Sequence, residues 1–133
     1  MGVLRFAALT AVVAMAAAAS CPAIAADKPA AVGRCTACHT FEPGGANKVG
    51  PALHGVFGKP MFAVAGYNYG EGAKEMAEAG GDAVWAEAAL DAYLADPNAF
   101  LSEKLGRKAR SKMTFKLPDA ADRAAIIAYL KAN

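Results

Sequence analysis

The sequence predicts an all-α fold with long irregular connections, and three observations carry that expectation. Apolar residues recur at helical spacing in two stretches of the second half, with Leu90, Tyr93 and Leu94 on one face and Ile126, Ile127 and Leu130 on another. A shorter helical signal begins at Pro29. Between these stretches glycine and proline are dense enough to exclude long regular structure, as in Pro43-Gly44-Gly45, Gly50-Pro51, Gly55 and Gly58-Lys59-Pro60.

The first 25 residues read as a secretory signal peptide outside the fold. Arg5 supplies a positive start, residues 6–19 form an alanine-rich apolar run, and Ala23-Ile24-Ala25 offers small residues for cleavage after Ala25 or Ala26. The run of about 14 apolar residues is shorter than the roughly 20 that span a bilayer as a helix. The competing use of Ala18-Ala19-Ser20-Cys21 as a lipoprotein signal lacks the usual leucine three residues before the cysteine. Residues 26–133 then form one domain. The hydrophobic content of 56% is inflated by the leader and by alanine, so the protein's own core is modest.

In chain order, a first short helix is expected over residues 29–38, with Pro29 where a first helical position tolerates it. Residues 40–72 are expected to be mostly loop, and residues 71–79 form a charged, helix-like stretch. Helical pattern resumes from Asp82 and stops at Asp96-Pro97. Residues 98–117 read as a basic connection. The last helix begins at Pro118-Asp119, with Asp119 as its N-cap.

Cys35-Thr36-Ala37-Cys38-His39 carries the chemistry. Two thiols three residues apart, followed at once by an imidazole, is the spacing that attaches one c-type haem through Cys35 and Cys38, with His39 as proximal iron ligand. A thioredoxin-like dithiol would want a preceding strand, whereas residues 30–34 read as a helix lead-in. A zinc site would need a second ligand pair, and after Cys38 only His54 remains.

The sixth iron position decides between electron transfer and ligand chemistry. Three methionines follow the leader. Met61 lies in a loop, Met76 in the charged helical stretch, and Met113 just before the last helix, where it is free to approach the other haem face.

These residues resemble the class I cytochromes c, and more narrowly the long bacterial cytochromes c2. The resemblance rests on the haem motif with Thr40, on Gly50-Pro51-Ala52-Leu53-His54-Gly55-Val56-Phe57-Gly58, on Trp85 with Tyr93-Leu94 and Asp96-Pro97, on Lys112-Met113-Thr114-Phe115, and on Ile127-Ala128-Tyr129-Leu130. It implies a small single-haem fold with three main helices and large loops wrapped around the haem. It also implies His39 and Met113 as axial ligands. Pro51 would accept the free ring N–H of His39, Tyr69 and Trp85 would bind a buried haem propionate, and Tyr93 would lie near the methionine sulfur. Leu53 and Phe115 would line the haem wall, with His54 away from the iron.

Departures from the family pattern also carry expectations. Asp27 and Ala31 replace a glycine and a phenylalanine of the family's first helix, which predicts a short or loosely docked helix here. Ala73 stands where mitochondrial members place an asparagine. The connection from Pro97 to Met113 is longer than in mitochondrial cytochrome c, which favours the bacterial type.

The chain carries 14 basic and 12 acidic residues for a formal net charge of +2, which loss of Arg5 lowers by one. Lys104, Arg107, Lys108, Arg110, Lys112 and Lys116, against Glu103, make the Met113 side basic. Residues 71–96 are acidic, with Lys74 their only base. Such a basic face suits acidic surfaces of membrane redox complexes, whereas confined charge and export argue against nucleic acid.

The resemblance thus implies a soluble, monomeric periplasmic one-electron carrier and not an enzyme. Its donor would be a quinol-oxidising cytochrome complex, its acceptor a terminal oxidase or photosynthetic reaction centre. Two other readings compete. One is a dedicated acceptor subunit of a periplasmic dehydrogenase. The other is a haem peroxidase or gas sensor with an open sixth position, for which no distal histidine and arginine pair can be read.

Overall fold

Five α-helices follow one another in a computed structural model that describes residues 27–81 and 83–133. They are α1 Ala30–Gly33, α2 Glu71–Glu78, α3 Glu87–Ala95, α4 Pro97–Leu105 and α5 Ala120–Ala132. The signal peptide, its cleavage site and Cys21 lie outside the described residues. Extended pairing among those residues is confined to an isolated antiparallel bridge between Pro60 and Val84, so the all-α class holds.

Helix count and boundaries differ from the sequence expectation of three main helices. The largest difference is α4, which occupies the first half of the connection read as irregular. Asp96-Pro97 does end α3, yet the same two residues start the next helix. The Asp96 carboxylate accepts the N–H groups of Asn98 (3.1 Å) and Ala99 (3.0 Å), and Pro97 takes the first helical position, where its missing N–H costs nothing. Pro97, Phe100 and Leu101 are buried on the inner side, and Gly106 closes the helix in the left-handed conformation at φ 63°. A stop signal and a start signal coincide here.

The first helix is shorter than the expected span. Regular structure covers only α1, with Pro29 as its N-cap at φ −61°, and turns continue to Cys38. It is nonetheless firmly docked. Ala31 and Val32 are buried where α1 crosses α5, and Arg34 pairs with Asp122 at 2.8 Å. The charged stretch before Gly80 forms α2, and α3 begins at Glu87, a few residues after the expected start.

Helix α5 keeps its expected N-cap, the Asp119 carboxylate accepting the Asp122 N–H at 2.9 Å. Its Ile126, Ile127 and Leu130 are buried, as are Leu90 and Leu94 of α3. Helix α3 packs on both α4 and α5, and α2 on α4. The most completely buried large side chains include Leu101, Leu117, Ile126 and Val32, each worth about 1.5–3 kcal/mol of transfer from water. The helices thereby frame a central cleft lined largely by loops.

Candidate functional site

Beyond α1 the chain turns tightly, and the N–H groups of Cys38 and His39 both donate to the Cys35 carbonyl, at 3.1 and 2.9 Å. That turn brings Cys35, Cys38 and His39 to the wall of the central cleft. The two thiols are not joined to each other. Burial, reinforced by neighbouring Cys38, pushes the Cys35 thiol up, which disfavours the free thiolate of a reactive dithiol.

His39 is fixed by main chain. Its ring Nδ1–H donates to the Pro51 carbonyl at 2.7 Å. A carbonyl can only accept, so the proton sits on Nδ1 and the Nε2 lone pair is left for a metal. Burial holds the imidazole below its usual pKa range, the Pro51 bond opposes that shift, and Lys48 adds to it. The ring is therefore neutral at neutral pH. A Cβ on Gly50 would fall 2.2 Å from His39 Cε1, so only glycine lets the ring lie there. The loop is tied down by Gly50 N–H to Cys38 (2.8 Å) and Leu53 N–H to Thr40 (2.8 Å).

An aromatic cluster builds another wall. Phe62 meets Tyr69, Trp85 and Tyr93 edge-on at ring distances of 5.7, 5.0 and 5.6 Å. It does so at φ 56°, a conformation that side chains other than glycine seldom adopt. Neither Phe62 nor Tyr67 was singled out by the sequence, because both lie in a loop without periodicity. Tyr67 lines the cleft, and its hydroxyl donates to the Val49 carbonyl at 2.7 Å. Tyr69 accepts the Val64 N–H at 3.2 Å, which leaves its own proton for another acceptor. Burial raises the pKa of both Tyr69 and Tyr93, so both phenols stay neutral.

Met113 enters the same cleft on the segment before α5. Of the three candidate methionines it alone lines the cavity, since Met61 is packed in the core and Met76 leans on the core from α2. Tyr93 does not stand by itself near this segment. Its hydroxyl lies 2.7 Å from Ser111 Oγ, which also accepts the Met113 N–H at 3.0 Å. Pro51, Leu53, Tyr69, Trp85, Tyr93 and Phe115 all line the cleft with the motif residues. Ala73 does so from α2, and His54 is exposed away from it.

Among the described residues two large apolar side chains are exposed, Val49 at 76% and Phe115 at 44%, and both belong to the cleft lining. The basic residues nearby differ in how free they are. Lys116 pairs with Asp96 at 2.6 Å, the Lys104 ammonium sits 5.7 Å above the Phe100 ring, and Lys112 donates to the Asn68 carbonyl. Lys108 and Arg110 are exposed. Lys116 and Arg107, which pairs with Glu75, thus have their charges offset by carboxylates.

Two thiols, a neutral imidazole with Nε2 free and a thioether share one mostly apolar cleft, a donor set that fits a covalently held porphyrin iron. Among the described residues no group of three or more His, Cys, Asp or Glu side chains could hold a bare metal ion.

No protein-family model matches the chain. Curated relatives do. Cytochrome c2 of Rhodospirillum rubrum is 52% identical over 99 residues, covering 74% of this chain and 72% of the relative. Cytochrome c-550 of Novispirillum itersonii is 46% identical over 97 residues, covering 72% and 86%. Among solved structures, cytochrome c2 from Rhodospirillum centenum superposes with a TM-score of 0.71 at 40% identity, covering 77% of this chain and 91% of that one. Identity at this level over most of each chain, on a shared fold, establishes descent: the chain belongs to the class I c-type cytochromes of the cytochrome c2 and c-550 group, electron-transfer proteins with one covalently attached haem c.

Proposed function

We propose that this cytochrome is a diffusing one-electron carrier of the periplasm, with Cys35 and Cys38 as thioether anchors and His39 Nε2 and Met113 sulfur as the two axial ligands. The observation that carries the reading is the shared cleft, where an imidazole with its Nδ1 already occupied and one methionine meet. When bound, the haem supplies an iron that takes up and releases one electron, and a thioether ligand favours its reduced form.

The chain's own residues do the rest. The Pro51 carbonyl orients the imidazole and raises its donor strength. The cluster of Phe62, Trp85 and Tyr93 excludes water from the cleft, and Tyr69 retains a proton to donate, suited to a propionate. With both axial positions filled little rearranges on electron transfer, and no substrate is transformed.

Delivery to the periplasm rests on the leader of residues 1–25, and amino-terminal sequencing of the mature protein that found Met1 would overturn it. Docking onto acidic faces of a quinol-oxidising complex and of an oxidase or reaction centre fits the basic side that carries the exposed Lys104, Lys108, Lys112 and Lys116. Because Lys116 is paired, the steering falls to the bases without a carboxylate partner, Lys108 and Lys112 among them. Charge reversal at both is expected to slow reaction with the partner at low salt, an effect that fades as salt rises. Unchanged rates would place docking elsewhere.

The axial pair is tested by the near-infrared charge-transfer band of a methionine-bound ferric haem. The band should be present in the purified protein and lost in Met113→Ala. Its absence from the unaltered protein would reopen the sixth position to ligand chemistry.

A further inference from the structure

Helix α4 contributes no side chain to the cleft, yet it determines the path of the segment that carries Met113. Between Lys108 and Lys116 no backbone group makes a backbone hydrogen bond among the described residues. Side chains must therefore give this stretch its shape, and α4 supplies several of them. Ser102 Oγ accepts the Ala109 N–H at 3.0 Å and lies 3.2 Å from the Ala109 carbonyl. Asn98 Oδ1 accepts the Ser111 N–H at 2.7 Å. Asp96, the N-cap of α4, holds Lys116 on the far side of Met113.

We propose that Asn98 is a positioning residue for Met113, its side-chain carbonyl bracing Ser111 so that the first turn of α4 keeps the methionine in the cleft. The inference rests on Met113 being the sixth ligand. Ser111 is the point where the brace meets the site, since its Oγ takes the Met113 N–H and pairs with the Tyr93 hydroxyl. Asn98 is itself held on both sides. Its N–H goes to the Asp96 carboxylate and its backbone carbonyl accepts from Ser102 Oγ at 2.7 Å. The acceptor is thus presented from a rigid turn, and its amide orientation follows from the N–H it faces. Without it, the half-buried Ser111 N–H loses its partner, and conformers with Met113 turned out of the cleft gain population.

The test is competition on the intact ferric holoprotein. Imidazole is titrated in at fixed pH, and displacement of the methionine is read from loss of the near-infrared band. Asn98→Ala removes the acceptor while placing a better helix former in α4, and it should bind imidazole about five- to tenfold more tightly. Asn98→Asp keeps an acceptor oxygen and should stay within about twofold of the parent. Glu103→Ala, an exposed change on the same helix, should leave the affinity as it is.

Asn98→Ala within about twofold of the parent would overturn the brace. So would Asn98→Asp or Glu103→Ala matching the gain of Asn98→Ala, because general weakening of α4 would then account for it. A missing band in the unaltered protein overturns the Met113 ligation itself, and the brace with it. A normal band with an indifferent Asn98→Ala overturns the brace alone.

Discussion

The His39 wall and the Met113 segment serve one cleft but are held by different means. Around His39 main-chain groups make the bonds nearest the ring, in the turn after α1, from the Gly50 N–H to Cys38 and from the imidazole to the Pro51 carbonyl, with side chains such as Asn47 and Tyr67 tying down the loop outside them. Around Met113 they are made by side chains reaching in from α3 and α4. Main-chain bonds survive most substitutions, because every residue but proline carries the same donor and acceptor. Side-chain bonds depend on particular residues, so the methionine side should be the easier one to tune or to break.

The exception on the His39 side is the position where no side chain fits, and the largest effect is expected there. Gly50→Ala would set a Cβ 2.2 Å from His39 Cε1 and should lower stability by about 3 kcal/mol, read from a denaturant midpoint. A neutral result would mean that the loop yields and the His39 wall is softer than its hydrogen bonds suggest.

Next comes the end of the methionine segment. Arg123 of α5, only 13% exposed in its side chain, pairs with Asp91 at 2.7 Å and donates to the carbonyls of Leu117 and Pro118 at 2.9 and 2.8 Å. Arg123→Leu should cost about 2 kcal/mol in chemical unfolding, because it strips the donor from the part-buried Leu117 carbonyl and the partner from Asp91. Arg123→Lys should recover only part of that, lacking the fork.

A smaller loss is expected from Tyr93→Phe, which deletes the hydroxyl on Ser111. About 1 kcal/mol of stability should go, together with some of the resistance of the Met113 ligand to imidazole. If stability falls and imidazole affinity does not move, the tyrosine serves the core and not the methionine.

Acid should find the same asymmetry with the smallest amplitude. The hydrogen bond from Lys116, then the Ala99 N–H at the helix start, hold the Asp96 carboxyl below its ordinary value of 3.8. A depressed carboxyl contributes stability above its unfolded pKa and loses it as pH falls through the folded one. Acidification below about pH 3.8 should therefore loosen the Met113 side through its Asp96 anchor, and Asp96→Asn should flatten that part of the titration of the near-infrared band. An unchanged titration would detach Asp96 from the methionine side.

Local chemistry was legible without coordinates. The pentapeptide from Cys35 to His39, the N-cap of α5 and the buried stripes of α3 and α5 are short-range patterns, because a helix places residues three and four apart on one face whatever surrounds it. The choice of Met113 and the roles of Pro51, Tyr69 and Trp85 came from resemblance, and all four line the cleft.

Tertiary structure decided the rest. Asp96-Pro97 reads equally well as the end of one helix and the beginning of another, and only burial of Phe100 and Leu101 against the core selects both. Phe62 reaches the centre of the aromatic wall through a left-handed backbone that no pattern announces. The brace from Asn98 to Ser111 joins positions that sequence leaves unrelated. The sequence by itself determined the cofactor and helices α3 and α5, because covalent attachment and helical periodicity act over a few residues. How Met113 is held depends on contacts between distant segments, which exist only once the core has formed.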